Sequence, residues 1–208
     1  DEAVFRPGDP VPVVALLKHP LLALGLERAR MRHAAETIEL MALRGGTGRP
    51  DIATLGDLFE ERLLELAGAD RRHPFWACRI HQHRIVAARE ALALLAKAIE
   101  PLAGYRDARH VELADIVKAT VLTFDALGRD EAGSLARLYG GDAGDKLASV
   151  LRDLVGASAT FDFGANEWAQ VVMAPIGPES VKPSGGADRR LATWGALEAR
   201  LASVDTLV

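Results

Sequence analysis

The chain has 208 residues, of which 49% are hydrophobic, and its formal net charge is −4. This length can bury the core of one large or two small domains, and the absence of a long apolar run excludes a membrane-spanning protein. The single cysteine excludes an internal disulfide framework and a cysteine-rich metal site within these residues, and the negative charge requires any DNA contact to be local.

The first predicted helices flank a proline and an arginine-rich segment. Pro20 interrupts the apolar residues 13–24 and predicts two short helices there, because the residue before a proline avoids helical geometry. A longer helix is predicted over residues 27–43 and another over residues 54–67. Thr54 and Asp57 look like a capping pair, with the Thr54 hydroxyl serving the first free amides of its helix.

Two further predicted helices carry long apolar stripes. The first ends near Gly104, and the second begins at Val111 and stops at Gly128. Because each stripe has to be covered, we expect the two helices to pack antiparallel on each other. A shorter helix is predicted over residues 145–155. The stripe residues are Ile85, Ala88, Leu92, Leu95, Ile99 and Leu102 in the first helix and Leu113, Ile116, Val117, Thr120, Phe124 and Leu127 in the second.

The C-terminal residues 190–208 have a different pattern, typical of a strand, a turn and a second strand. A strand at 206–208 needs neighbours for its backbone, yet the preceding residues are predicted almost entirely as helix. We therefore expect residues outside this chain to complete the sheet. The sequence also begins at Asp1 without an initiator methionine, and it predicts a mainly α piece of a larger protein in a reducing cytoplasm.

The motifs of common catalytic sites are absent from the sequence. It has no phosphate-binding loop ending in Lys-Ser/Thr, no G-x-S-x-G and no H-E-x-x-H, so the chain is not expected to catalyse a reaction alone. The pairs Gly140-Gly141 and Gly185-Gly186 are interpreted as turns, because neither sits between a strand and a helix with the required lysine.

His81-Gln82-His83, close to Cys78, raises the possibility of a metal site. On a helix, residues two apart point about 200° away from each other, so the two imidazoles could share an ion only in a loop. His81 also falls four residues before Ile85 of the apolar stripe. A hydrogen-bonded core histidine is therefore the simpler interpretation, with no metal predicted.

Arg28, Arg30 and Arg32 crowd the first turns of the 27–43 helix, together with His33. Cations there oppose the helix dipole and would attract a phosphate, or a carboxylate from another chain. The alternative is a solvated face in which Arg32 reaches Glu36.

A second basic cluster comprises Arg71, Arg72, Arg79 and Arg84. Phe75 and Trp76 lie between these cations, a composition typical of a platform that stacks single-stranded bases. The alternative is that the two aromatic residues form a hydrophobic staple fixing the entry of the following helix.

Three segments resemble one protein family. Residues 14–21, V-A-L-L-K-H-P-L, are similar to the A-L-L-K-H-P-L of the AddB subunit of bacterial AddAB helicase-nucleases. Residues 138–144, L-Y-G-G-D-A-G, look like its L-W-x-G-E-x-G. Residues 194–208 resemble W-G-P-L-E-A-R-L-Q-x-x-D-x-V-I, which leads into a G-L-N-E-G-x-W-P motif in the family. All three segments occur in the family's order.

The resemblance implies a helical insertion of the 2B kind within the second motor fold of a superfamily-1 helicase. Residues 1–25 and 176–208 would be stubs of that motor domain, and residues 26–175 would be the inserted helical domain. The family acts in double-strand break repair by homologous recombination, with an AddA-like helicase-nuclease subunit as partner and duplex or forked DNA as substrate. Glu198 would match an acid that can approach the nucleotide ribose. ATP with Mg²⁺ and an iron–sulfur cluster would lie in the parent complex, outside this piece.

Two functions are thus predicted from the sequence. The first is a non-catalytic domain of a helicase-nuclease that contacts DNA or the partner subunit. The second is a free-standing helical module that binds a protein or a ligand.

Overall fold

The computed structural model describes residues 2–44, 50–68, 75–77, 80–157, 160–162 (backbone only), 167–181 and residue 200. These residues are mainly helical, as predicted. A π-helical turn, Glu39–Leu43, continues the third helix, and a 3₁₀ turn, Ile52–Thr54, precedes the fourth. The helices are α1 (Glu2–Phe5), α2 (Pro10–Leu17), α3 (Arg28–Ile38), α4 (Leu55–Ala67), α5 (Gln82–Ala103), α6 (Leu113–Gly128), α7 (Ala136–Tyr139), α8 (Gly141–Gly156) and α9 (Trp168–Ile176).

Helix α5 is the centre of the bundle and packs against both α3 and α6. The predicted stripe on α5 is buried at Ala88, Leu92, Leu95, Ile99 and Leu102. Ile85, at the start of the stripe, is only partly covered. The α6 stripe is likewise buried at its centre, so the expected packing of the two helices on each other is confirmed. Apolar residues recurring every three or four positions produced a single covered face on each helix.

Two ion pairs connect α3 with α5 and establish their relative direction. Arg30 near the start of α3 pairs with Glu90, and Arg84 near the start of α5 pairs with Glu36. An early residue of each helix therefore meets a later residue of the other, so the two helices run antiparallel. The buried faces carry alanines on both sides, which lets the helix axes approach closely.

Two short strands, absent from the sequence prediction, form an antiparallel pair. Strand β1 (His110–Glu112) pairs with β2 (Thr160–Asp162), with Val111 opposite Phe161. Val111 was predicted as the start of a helix, but α6 begins two residues later. Three residues are too few to show a strand period, and the partner strand is distant in the chain. The predicted strands over residues 190–208 lie outside the described residues, apart from Arg200 in a turn.

Two local predictions near the helix ends are wrong. The Thr54 side chain makes no capping hydrogen bond to α4. Asp51 caps the preceding 3₁₀ turn instead, and its carboxylate accepts from the Ala53 amide at 3.0 Å. Because of this extra turn, helical structure begins at Ile52, three residues before the start of α4. No second helix follows Pro20 either. Residues 18–27 form turns that dock on the end of α6, so tertiary hydrogen bonds replace helical ones there.

The first residues of the chain share the core of the bundle. Ala3, Val4 and Phe5 of α1 are buried, and the Arg106 Nε donates to the Val4 carbonyl at 2.8 Å. The Arg106 guanidinium also donates to both carboxylate oxygens of Asp51, at 2.7 and 2.9 Å. One arginine thus connects α1, the 3₁₀ turn and the turn after α5. The domain boundaries predicted at residues 25 and 175 stay predictions.

The Asp51–Arg106 pair predicts an acid-sensitive stability. Hydrogen bonds from Arg106 hold the pKa of the Asp51 carboxyl below its ordinary value; partial burial opposes this effect and the Ala53 amide adds to it. A carboxyl with a lowered folded-state pKa stabilises the fold above its unfolded pKa of about 3.9 and loses that contribution as the pH falls through the folded value. We expect Asp51→Asn to lower the free energy of unfolding at neutral pH by about 1–2 kcal/mol.

Urea titrations at several pH values check this expectation. Below about pH 4 the wild-type curve should approach that of the variant. Asp153→Asn, at an exposed position, is the control and should follow the wild-type curve throughout. An Asp51→Asn protein with wild-type stability at neutral pH would contradict the assignment.

Candidate anion-binding groove

A groove of about 330 Å³ lies between α3 and the loop that follows α2. Its lining combines an apolar floor with a rim of basic residues and one acid, Glu36. We call this surface the α3 groove. Its floor comprises Leu17, Pro20, Leu22, Met31 and Ala35, and its rim comprises Lys18, His19, Arg28 and Arg32.

Lys18 and His19 have fixed neighbours at one side of the α3 groove. The Lys18 ammonium pairs with Glu39 at 2.7 Å, and Arg44 donates to the same carboxylate at 3.0 Å. Partial burial raises the pKa of the Glu39 carboxyl, but the hydrogen bonds from Lys18 and Arg44 outweigh it and the pKa is lowered. His19 Nδ1 accepts a hydrogen bond from the Leu21 amide at 3.3 Å, which leaves Nε2 as the ring nitrogen that can donate to a ligand.

The loop wall of the α3 groove is anchored to the C-terminus of α6. The amides of Ala23 and Leu24 both donate to the Leu127 carbonyl, at 2.9 and 3.1 Å, and the Gly25 amide donates to the Arg129 carbonyl at 2.7 Å. Leu24 has a φ of 54°, a left-handed conformation that is strained for a residue with a side chain. Tertiary hydrogen bonds therefore hold this wall in a conformation that the local sequence would not favour.

The arginines predicted to contact DNA divide into two classes. Arg30 and Arg84 are neutralised by Glu90 and Glu36 across the α3–α5 interface. Arg28 and Arg32 line the α3 groove and make no ion pair with any described residue. The solvated-face alternative paired Arg32 with Glu36, but in the structure Glu36 pairs with Arg84 instead. The α3 groove therefore has two uncompensated cations at the N-terminal half of a helix, where the helix dipole adds positive potential.

The second basic cluster is only partly within the described residues. Arg71, Arg72, Arg79, Cys78 and Glu198 lie outside them, as does the pair Gly185-Gly186. Phe75 is 80% exposed, whereas Trp76 packs against the core. The two aromatic residues thus have different environments, and the stacking platform and the hydrophobic staple both remain predictions.

The structure corrects the interpretation of His81. This residue is exposed and precedes α5 in an extended conformation, so the predicted core position is wrong. The backbone of His81 is extended, so the two side chains do not point in opposite directions as residues two apart on a helix would. The His81 ring stacks on the His83 ring, with 5.8 Å between the ring centroids. Among the described residues, no cluster of three His, Cys, Asp or Glu side chains could hold a metal ion.

Sequence reasoning missed Lys18 and His19 as members of the site. Both belong to the K-H-P-L segment, which resembles the AddB family but contains no recognised anion-binding motif. The signal was a pair of basic residues, Lys18 and His19, directly before a proline that stops a helix. Their position opposite Arg28 and Arg32 depends on the docking of the loop on α6, which local patterns do not reveal.

Comparison with protein-family models, with curated proteins and with solved structures finds no match to this chain. Within the described residues, no helix combines the length and the apolar character needed to cross a membrane.

Proposed function

We propose that this chain is a non-catalytic helical domain of an AddB-type helicase-nuclease subunit and contacts the DNA backbone through the α3 groove. The parent would act in double-strand break repair by homologous recombination, in the cytoplasm, with an AddA-like partner subunit. The resemblance of three segments, in the family's order, supports the family assignment. The mainly helical architecture agrees with what that resemblance implies, and ATP, Mg²⁺ and the iron–sulfur cluster would belong to the parent complex.

The proposed DNA contact rests on Arg28 and Arg32, which line the α3 groove and form no ion pair with any described residue. Guanidinium groups form paired hydrogen bonds with phosphate oxygens, and the α3 groove places two of them one helical turn apart. Lys18 and His19 add donors on the opposite wall. The chain as a whole is acidic, so it would attract DNA only at such a local positive surface.

Removal of the two cations should weaken DNA binding. We expect the wild-type chain to bind duplex and forked oligonucleotides with an affinity that falls steeply between about 50 and 200 mM salt. The double variant Arg28→Ala/Arg32→Ala should bind about tenfold more weakly at the lower salt, and its slope of log affinity against log salt should decrease by about 2, since each phosphate contact contributes about 0.9. Fluorescence anisotropy titrations measure both quantities.

The charge-matched control for that double variant is Arg109→Ala/Arg152→Ala. Both control residues are exposed and form no ion pair with any described residue, and neither lines the α3 groove. The control should bind within about twofold of wild type, because the same net charge is removed far from the proposed contact. Undetectable wild-type binding at low salt, or equal weakening by the two double variants, would overturn the proposal.

An apolar groove favours the alternative of a protein- or ligand-binding module. This second groove, of about 360 Å³, lies between α4 and α5 and is lined by Met41, Leu63, Leu66, Ala67, Ala77, Ile80 and Ile85. The gene beyond the Val208 codon distinguishes the two functions. A continuation into G-L-N-E-G-x-W-P supports the helicase-nuclease assignment, whereas a stop codon within a few residues supports the free-standing module.

A further inference from the structure

Glu36 lies between two possible partners, and the structure shows it with only one of them. It lines the α3 groove together with Arg32, which precedes it by four residues on α3. Side chains with this spacing stand on the same helix face, about 5–6 Å apart at their Cβ atoms, and readily form ion pairs. In the structure the Glu36 carboxylate instead pairs with Arg84 of α5. The acid of the groove thus forms its ion pair with α5 and not with Arg32 of its own helix.

We infer that Arg84 is a positioning residue for the α3 groove: by pairing with Glu36, it keeps that carboxylate from neutralising Arg32. The inference rests on the proposed function of the groove as an anion-binding surface. Arg84 itself does not line the groove. Arg84 therefore contributes to binding indirectly, because its ion pair with Glu36 keeps a negative charge from pairing with Arg32.

The environment of Arg84 supports an indirect role. Its side chain is 23% exposed, and its Nε is buried without a hydrogen-bond partner among the described residues. If this partly buried guanidinium turned outward to a phosphate, it would lose the Glu36 contact, and a partly buried charge without its partner is unfavourable. Arg84 is therefore suited to hold Glu36 rather than to leave it for a ligand.

Without Arg84, the Glu36 carboxylate should form an ion pair with Arg32. The freed carboxylate has Arg32 one turn away on the same helix face, so the pair expected from simple helix spacing would then form. One of the two uncompensated cations of the groove would be neutralised without any change to a groove residue. DNA binding would weaken even though the substituted residue touches no phosphate.

A double-mutant cycle tests this mechanism in the full chain. Affinity for a duplex and for a forked oligonucleotide is measured for wild type, Arg84→Met, Glu36→Gln and the double variant. We expect Arg84→Met to weaken binding about threefold to tenfold at low salt, the size of losing one phosphate contact. In the Glu36→Gln background the same substitution should change the affinity less than about twofold, because no carboxylate remains to be released.

Two control variants separate this effect from a loss of structure. Arg84→Lys keeps a cation for Glu36 and should bind within about twofold of wild type. Arg89→Met removes a charge from the same helix and frees Glu60, which does not line the groove, so it should also bind like wild type. Equal weakening by Arg84→Met in both Glu36 backgrounds would show that Arg84 contacts DNA itself and would overturn the inference, as would an Arg84→Met protein with unchanged affinity.

A measurement without DNA distinguishes the failure of this inference from the failure of the proposed function. Phenylglyoxal modifies unpaired arginines, and peptide mass spectrometry resolves the rate at Arg32. We expect that rate to fall several-fold in Arg84→Met and to recover in the double variant with Glu36→Gln. Undetectable DNA binding combined with this pattern would reject the DNA function and retain the positioning role, whereas an unchanged Arg32 rate would reject the positioning role by itself.

Discussion

Replacement of Gly144 by alanine is expected to lower the free energy of unfolding by about 3 kcal/mol or more, because the new methyl group has no space. A Cβ at this position would lie 2.2 Å from the Tyr139 carbonyl carbon and 2.5 Å from its oxygen. Both are backbone atoms, so no side chain can rotate away. Either α7 would move off the start of α8 or the first turn of α8 would unwind. Overpacking typically costs about 1–3 kcal/mol and occasionally more, and a clash with backbone atoms belongs at the upper end because no side chain can relieve it.

Gly156 is the matched control because it is the last residue of the same helix, and a Cβ there would meet no atom within 4 Å. Gly156→Ala should be neutral or stabilising by up to about 1 kcal/mol, since alanine reduces the freedom of the unfolded chain. Thermal and urea unfolding followed by circular dichroism measure both variants. A Gly144→Ala protein as stable as Gly156→Ala would show that α7 does not pack where the structure has it.

Replacement of Trp168 by alanine is the second large effect, with an expected loss of about 3–5 kcal/mol. The Trp168 side chain is fully buried, and its indole Nε1 donates to the Thr120 hydroxyl of α6 at 3.1 Å. Val172 is the other buried residue of α9. Because Trp168 is the largest buried side chain of α9, loss of the indole should release this helix as well as lower the melting temperature, by about 2–4 °C per kcal/mol.

Met173 provides the control on the same helix. Its side chain is 57% exposed, so Met173→Ala should change the free energy of unfolding by less than about 0.5 kcal/mol. Hydrogen exchange of the α9 amides gives the local readout, and they should exchange faster in Trp168→Ala than in wild type at temperatures where α5 remains protected. Unchanged protection of α9 in Trp168→Ala would contradict the anchoring role of the indole.

The glycines of residues 138–144 illustrate what a motif can and cannot reveal. Gly140-Gly141 was interpreted as a turn; in the structure Gly140 joins α7 to α8 and Gly141 is the first residue of α8, with a φ of 71°. A Cβ on Gly140 would lie 2.3 Å from the Ala136 carbonyl oxygen. The need for glycine at position 144 was not foreseen. It arises because the short α7 folds back onto α8, and such a close approach of two backbones has no signature in hydrophobic spacing.

The candidate site was predictable in residue type but not in arrangement. The sequence identified Arg28, Arg30, Arg32 and Arg84 as cations that could bind an anion. Helix spacing favoured an Arg32–Glu36 pair, and the competing partner of Glu36 comes from α5, which is distant in the chain. The structure therefore decided which cations are neutralised and which line the α3 groove.

The sequence by itself determined the helical class, the buried faces of α5 and α6 and the C-terminal ends of α4, α5 and α6, because these follow from interactions among residues a few positions apart. Only the tertiary structure decided the docking of residues 18–27 on α6, the β1–β2 pair and the ion pairs between α3 and α5. Each of these joins segments that are distant in the chain. The free energy of these contacts depends on which distant surfaces come together, and a local sequence pattern does not show that.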